Sequence, residues 1–399
     1  MIFIEICGII CEYNPLHNGH AFQLAQAREK SGAQYIICVM SGSFVQRGEP
    51  AIIDKFTRTK AALSCGADLV LELPAFYSLQ AAHFFARGAV ATLNSLNICT
   101  HLAFGSESGD IEELKKAALM QEDTQQLQLS LKKGISHPSA LTLALTDEKL
   151  SVLTNPNNLL GIEYIKALNE LNSAMLPITT KRQGAGHDST AKSQENWSAS
   201  NIRKSLKENS IAEALKQMPL SMANEMGSVL QKNKLILEDN NFFRILLYRL
   251  RLMNPQELAL IAGVSEGLEY KILKAAESAA SLEELILLIK SKRYTYARIK
   301  RILCCALLGI TQTLCEKANT TAPYARVLGV RRDAMELLSL INKESKIPVM
   351  TSPAKFFKQA TGFEPECLQI DRLCTDIYAL LGNAVQPSAA DFTQGIIIV

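Results

Sequence analysis

The sequence predicts an α/β fold: a Rossmann-like parallel sheet in the first half, followed by a mainly helical C-terminal region. Three observations lead there. Short apolar runs rich in Ile, Val and Leu alternate with longer helical segments through the first half, the pattern of parallel strands covered on both faces. Each of the first four runs ends in polar, Gly/Ser-rich or charged residues, and the carboxyl ends of the strands are where such sheets bind ligands. Beyond about residue 205 amphipathic helices take over.

In chain order, strands are expected at Ile2–Ile10, Tyr35–Met40, Asp68–Leu73 and Cys99–Phe104. Gly19–Ser31, Arg58–Cys65 and Gln80–Leu96 read as the helices between them, then Glu112–Lys133, Ser139–Leu150 and Leu159–Leu171 as further helices. Pro177–Lys181 is a further strand, and the polar, aperiodic Gln183–Trp197 a loop. The second half offers helices at Ser210–Met218, Asn241–Leu252, Pro255–Ala262, Leu282–Ile289 and Tyr296–Leu308. Short strands return at Ala325–Val330, Ile347–Thr351 and Ile396–Val399. The expected division is a ligand-binding catalytic domain over 1–205 and a mainly α-helical domain over 206–399, with a small mixed α/β section at about 322–399.

With 399 residues, 48% hydrophobic and 20% charged, the chain is globular and long enough for two or three domains. Its net charge of +3 means that any nucleic-acid surface must be local. The ten cysteines are scattered without a C-x-x-C pair, which fits buried thiols in a reducing compartment and gives no zinc motif. Glu5 interrupts the N-terminal apolar run and no small-residue cleavage site follows, so that run reads as a strand rather than a signal peptide. No apolar stretch approaches the roughly 20 residues of a membrane span. A cytoplasmic protein is expected.

The strand ends carry the chemistry. The first gives Glu12-Tyr13-Asn14-Pro15-Leu16-His17-Asn18-Gly19-His20. The second gives Ser41-Gly42-Ser43-Phe44-Val45-Gln46-Arg47-Gly48, the third ends at Glu72-Leu73-Pro74, and the fourth gives Phe104-Gly105-Ser106-Glu107. His17 and His20, three apart, share one helical face, and Asn18-Gly19 permits close backbone approach. Imidazole N–H groups beside helix N-terminal amides make a phosphate cradle. A metal site would need a third ligand, with Glu12 or Glu72 as candidates that spacing does not select. Ser198 or Ser200 in Trp197-Ser198-Ala199-Ser200-Asn201-Ile202-Arg203 can cap a helix facing anions, and Arg203 adds fixed positive charge.

Strand, turn and H-x-G-H at the start of the first helix resemble the nucleotidyltransferase superfamily that includes class I aminoacyl-tRNA synthetases. The Ser/Arg segment resembles that superfamily's second signature. The strings EYNPLHNGH, SGSFVQRGEPAIIDKFTR, GADLVLELP, FGSE and NNLLGIEYIKAL, in one order, resemble the bacterial tRNA(Met) cytidine acetate ligase family. The likeness is strong from residue 2 to about 206 and extends to KRYTYARIKR at 292–301. It implies an enzyme that joins acetate to ATP as acetyl-adenylate, then transfers the acetyl group to N4 of the wobble cytidine of elongator tRNA(Met).

By motif, the resemblance implies an ATP site of Ile10, Cys11, Glu12, Tyr13, Asn14, Pro15, Leu16, His17, Asn18, Gly19, His20, Gln23, Gly105, Asn158 and Arg182, joined by Ser200 and Arg203. Leu16 replaces a common Phe, and Gly184-Ala185-Gly186-His187-Asp188 lacks an aromatic that the family often carries there. His17 and His20 are expected at the transition state. Lys55 and Arg58 would add positive charge, with Asp54 orienting one of them, and Ser41, Gly42, Ser43 and Gln46 would bind acetate or the incoming nucleotide. Mg²⁺ is expected with ATP, without nameable protein ligands.

For RNA, Lys292, Arg293, Tyr294, Tyr296, Arg298, Lys300 and Arg301, with Lys290 before them and Arg331-Arg332 beyond, offer phosphate-neutralising and base-stacking groups. Two alternatives stand beside this reading: a small-molecule adenylyltransferase, and a non-catalytic RNA-binding protein that retains a nucleotide fold.

Overall fold

A computed structural model describes residues 4–120, 129, 155–182 and 197–399. The expected helix Ser139–Leu150, most of Glu112–Lys133 beyond residue 120, and the 183–196 stretch with His187 lie outside the described residues.

The central strand β1 (Ile6–Cys11) lies between β2 (Tyr35–Ser41) and β6 (His101–Ser106), parallel to both. Beyond β2 comes β5 (Leu69–Leu73), and beyond β6 comes β7 (Leu176–Lys181), again parallel. A two-stranded hairpin, β3 (Phe44–Val45) with β4 (Glu49–Pro50), follows β2. The order β5-β2-β1-β6-β7 is doubly wound: the chain moves outward on one side of β1, then crosses to the other. The crevice at the carboxyl ends of β1 and β6 is therefore the topological switch point.

The apolar runs become central strands because both faces are covered; Ile36 through Met40 are fully buried. Gly8 allows one covering helix to sit close, since a Cβ there would lie 2.6 Å from Leu93 of the helix Ala82–Ser95. Helix α1 (Asn18–Ser31) stops at Gly32, whose φ of 64° makes a left-handed cap. Helix α2 (Lys55–Ser64) starts at Asp54, which accepts the Thr57 N–H at 2.9 Å.

The helices expected at 241–252, 282–289 and 296–308 appear as Asn240–Leu252, Leu282–Ile289 and Tyr296–Leu308, and with Leu268–Ser278 they pack on one another. Among the described residues, no helix is long and apolar enough to cross a membrane.

The section 322–399 carries short strands where they were expected, and they join the sheet of the first half. Its strand β8 (Ala325–Val330) pairs antiparallel with β5, while β9 (Val349–Met350) and β10 (Ile397–Ile398) pair parallel with β8. The last quarter of the chain thus completes the sheet begun by the first, so the sheet has strands on both sides of residue 205.

A buried ion cluster fastens this return. Lys55 Nζ lies 2.6 Å from Glu72 and 2.9 Å from Asp391, and Arg326 lies 2.8 Å from Glu72 and 2.7 Å from Asp391. Asp371 adjoins it, accepting the Tyr324 hydroxyl at 2.7 Å and the Ala75 N–H at 2.9 Å. Burial, and then the Glu72 charge, push the Asp371 carboxyl above its ordinary range. Removing one member of such a set strands its opposite charge in low dielectric. Asp391→Ala is expected to destabilise the protein by about 3–5 kcal/mol in urea unfolding; a change within the few tenths typical of surface positions would show that the cluster does not hold the sheet.

Candidate active site

The site begins where β1 ends. Tyr13 takes a left-handed backbone conformation (φ 48°), and the Asn14–Pro15 peptide is cis. Asn14 Oδ1 accepts the Ile52 N–H at 2.8 Å, and Leu16 is fully buried beneath the turn. The chain then enters α1 with His17 as its N-cap.

Helix N-termini leave amide donors unpaired, and here the histidines take them. His17 Nδ1 accepts the Gly19 N–H at 3.1 Å, and His20 Nδ1 accepts the His17 N–H at 3.3 Å. The exchange is a capping box built from imidazoles. Gly19 fits because a Cβ would come 2.9 Å from the His17 ring. The rings stack at 3.7 Å between centroids, with Tyr13 edge-on to His20 at 5.1 Å.

Burial, and then the positive charge of Arg182, lower His17 to about 3. Burial, then His17 and Arg182, lower His20 well below the ordinary imidazole value. Both rings are neutral near pH 7. With Nδ1 accepting, each neutral ring carries its proton on Nε2, so the pair presents two N–H donors without net charge.

The cleft beside them, about 170 Å³, is lined by His17, Gly19, His20, Gln23, Gly105 and Arg182 together with Phe22, Thr180, Lys181, Trp197 and Ser198. The structure thus gathers the predicted histidines, Gly105 and Arg182 at the switch point. Ser198 was expected as a helix cap facing anions, and Trp197 opens the same segment; Thr180 and Lys181, the last residues of β7 before Arg182, carried only their position as a signal. Phe22 had none.

Other expected ATP residues serve one layer out. Ile10, Tyr13, Asn14 and Leu16 are buried as scaffold; Pro15 lies in the turn, Cys11 ends the strand and Glu12 follows it. Asn18 turns away, its Nδ2 donating to the Lys216 carbonyl at 3.3 Å. Asn158, 1% exposed, accepts the N–H groups of Glu107 (2.8 Å) and Ser108 (3.2 Å) through Oδ1. In return Glu107 accepts the Asn158 N–H at 2.9 Å, so the loop after β6 is locked to the helix Pro156–Glu170.

Arg203, on the helix Ala199–Lys207, donates to the Asn14 carbonyl at 2.8 Å and to Ser200 Oγ at 3.3 Å. Arg47 also donates to Ser200 Oγ, at 3.4 Å. The two signature segments therefore meet.

Several expectations are corrected. Lys55 is 1% exposed and held by the carboxylates of Glu72 and Asp391, and Arg58 is fully buried. Arg58 donates to the carbonyls of Ile53 (3.0 Å), Glu12 (2.7 Å), Ser41 (3.0 Å) and Gly42. Neither cation lines the cleft; Arg58 instead ties together the ends of β1 and β2. Glu72, engaged by Lys55 and Arg326, is likewise not a free metal ligand.

Ser41, Gly42 and Ser43 lie at the end of β2 outside the lining of the cleft, with Ser43 Oγ 3.4 Å from Thr375 Oγ1. The Gln46 N–H donates to Glu12 Oε1 at 2.7 Å. Burial raises the Glu12 carboxyl, against that hydrogen bond.

In the basic segment Tyr294 is buried, its hydroxyl donating to the Ser265 carbonyl at 3.0 Å and its face covered by Arg298 at 4.5 Å. It cannot stack on a base. Lys300 pairs with Glu49, Arg293 with Glu266, and Arg331 with Asp68 and Asp333. Arg301 is partly buried, whereas Lys292 and Tyr296 are exposed.

The lowered His17 value fixes a pH dependence. In the unfolded chain the ring protonates near 6.5, so on acidification the unfolded state binds a proton that the folded state refuses. Stability present above about pH 6.5 is therefore lost as pH falls toward 3, by about 2 kcal/mol between pH 7 and pH 5 for this group. His17→Gln is expected to flatten the decline of the unfolding midpoint over that interval; parallel pH profiles would refute the neutral, buried ring.

The HIGH Nucleotidyl Transferase family profile matches residues 4–392. A tRNA(Met) cytidine acetate ligase of Acetivibrio thermocellus is 36% identical over 99% of this chain and 100% of its own length. One from Thermoanaerobacter pseudethanolicus is 40% identical over 98% and 99%. The crystal structure of Thermotoga maritima TmcAL bound with alpha-thio ATP superposes with a TM-score of 0.92 at 32% identity, covering 99% of this chain and 100% of that one. With the imidazole cap at the switch point and likeness along nearly its whole length, the chain belongs to the tRNA(Met) cytidine acetate ligase family of HIGH nucleotidyltransferases.

Proposed function

We propose that this protein activates acetate with ATP and passes the acetyl group to N4 of the wobble cytidine of elongator tRNA(Met). The observation that carries the proposal is the pair of neutral imidazoles whose Nε2–H donors are fixed by backbone bonds at Nδ1. Two neutral donors side by side can bind phosphate oxygens without repelling each other, and they need no reorganisation as charge builds on the α-phosphoryl group. Arg182 adds positive charge to the same cleft. The acetate carboxylate attacks the α-phosphorus, the bond from that phosphorus to the α,β-bridging oxygen breaks, and pyrophosphate leaves with that oxygen. The cytidine amine then attacks the acetyl carbonyl, losing a proton as AMP departs. ATP enters as its Mg²⁺ complex, the cation held chiefly by phosphate oxygens.

The end of β2, the segment expected to receive acetate, is tied to the loop after β1 through Arg58. Arg58 acts there by position, since Glu12 and Ser41 share its guanidinium through their carbonyls. A cytoplasmic setting agrees with an RNA substrate.

Incubation with ATP, labelled acetate and elongator tRNA(Met) is expected to place label in RNA as N4-acetylcytidine. Unlabelled RNA despite intact nucleotide binding would overturn the proposal, and adenylylation of a small phosphorylated acceptor would replace it. His17→Ala and His20→Ala are each expected to lower acetate-dependent ATP–pyrophosphate exchange about 10²–10³-fold, the usual effect of losing one transition-state donor. Lys292→Ala with Arg293→Ala should weaken tRNA binding and leave that exchange unchanged; loss of both activities would make the segment structural.

A further inference from the structure

A second basic–aromatic surface open to RNA, in addition to the 290–301 segment, lies on the helix Asn240–Leu252. Its buried side is Phe242, Phe243, Leu246 and Leu250. At about 100° per residue, Arg251, Arg244 and Tyr248 fall in that order within about 60° of arc on the opposite side, with Tyr248 most directly opposite the buried residues. Tyr248 is 68% exposed. Arg249 is exposed as well, about 100° of arc away from Tyr248. The helix carries no acidic residue along its length.

Arg244 and Arg249 make no ion pair or side-chain hydrogen bond within the described residues, and Arg251 is steadied by a 3.4 Å bond from Nε to the Ala276 carbonyl. The helix packs against Tyr296–Leu308, whose Lys300 is paired with Glu49 beside the β2 loop, so it is continuous with the catalytic half.

We propose that this face receives the tRNA, the arginines neutralising backbone phosphates and Tyr248 stacking on an unpaired base. The proposal rests on the tRNA-acetylation reading. Charge complementarity selects the occupant: two guanidinium groups on this face, a third farther round the helix and no carboxylate along its length fit a polyanion, and a lone exposed ring beside the pair fits a base's π-face. Only Leu252 adds exposed apolar area at the edge, less than a protein partner would bury.

The test uses the full-length protein and elongator tRNA(Met). Direct binding is measured by fluorescence anisotropy over a salt series, beside acetylation kinetics and acetate-dependent ATP–pyrophosphate exchange. Arg244→Gln with Arg251→Gln is expected to weaken tRNA binding about 10-fold and to reduce the salt slope by about 2, one for each phosphate no longer neutralised. Tyr248→Ala should raise KM for tRNA about 10-fold, with Tyr248→Phe close to the unsubstituted protein.

Exchange should be unchanged in all three, which also shows that they are folded. Unaltered tRNA affinity and salt slope in these variants would overturn the proposal. So would a change confined to the sedimentation coefficient, which would make the face a contact between protein copies. If the unsubstituted protein leaves RNA unacetylated, the catalytic reading fails, and the anisotropy series still decides whether this face binds RNA.

Discussion

The cleft depends on two backbone N–H groups that a helix start would otherwise leave unpaired. His17 and His20 accept them through Nδ1, and three properties follow from that one constraint. The tautomer is set, because the neutral ring must then carry its proton on Nε2. The rings can stack at 3.7 Å, because neither is charged. Their charge state agrees with both, since burial and Arg182 hold the pair deprotonated. A charged pair would bind phosphate more strongly in isolation, yet at this separation the rings would repel. The fold supplies a preorganised neutral donor pair and leaves the positive charge to Arg182.

Around that pair, buried charged and polar groups hold the loops in place. Arg58 gathers four carbonyls from the ends of β1 and β2 and the start of α2. Glu107 and Asn158 exchange bonds between the β6 loop and the following helix. Arg203 closes the second signature onto the Asn14 carbonyl. Each fixes backbone geometry near the reacting groups, where a misplacement of about 1 Å can cost 10²-fold in rate. They are positioning residues, which explains why charged side chains are buried so close to a nucleotide cleft.

The strands were readable because a doubly covered strand is a continuous apolar run, and the histidine pair because its function is local: three residues apart on one helix. What could not be read is pairing at long range. Lys55 and Arg58 look like exposed cations at a helix start; their burial depends on partners as remote as Asp391, 336 residues from Lys55. The run Ala325–Val330 is a clear strand, but nothing in its periodicity says that it returns antiparallel to β5. Tyr294 fails as a stacking residue for a related reason. Density of basic and aromatic residues along the chain does not reveal which ring points inward, whereas helical phase does, and it places Tyr248 outward.

Glu49 joins the two halves energetically. Burial opposes its ionisation, but Lys300 from the helical region and Arg203 from the second signature keep it below the usual carboxylate range. One carboxylate thus answers a cation on the element that positions the Asn14 turn and another on the helix packed behind the tyrosine–arginine face. Because both pairs share that one carboxylate, loss of the Lys300 partner would change the balance at Arg203, and through it the turn that leads into His17. The route is short and consists of named bonds.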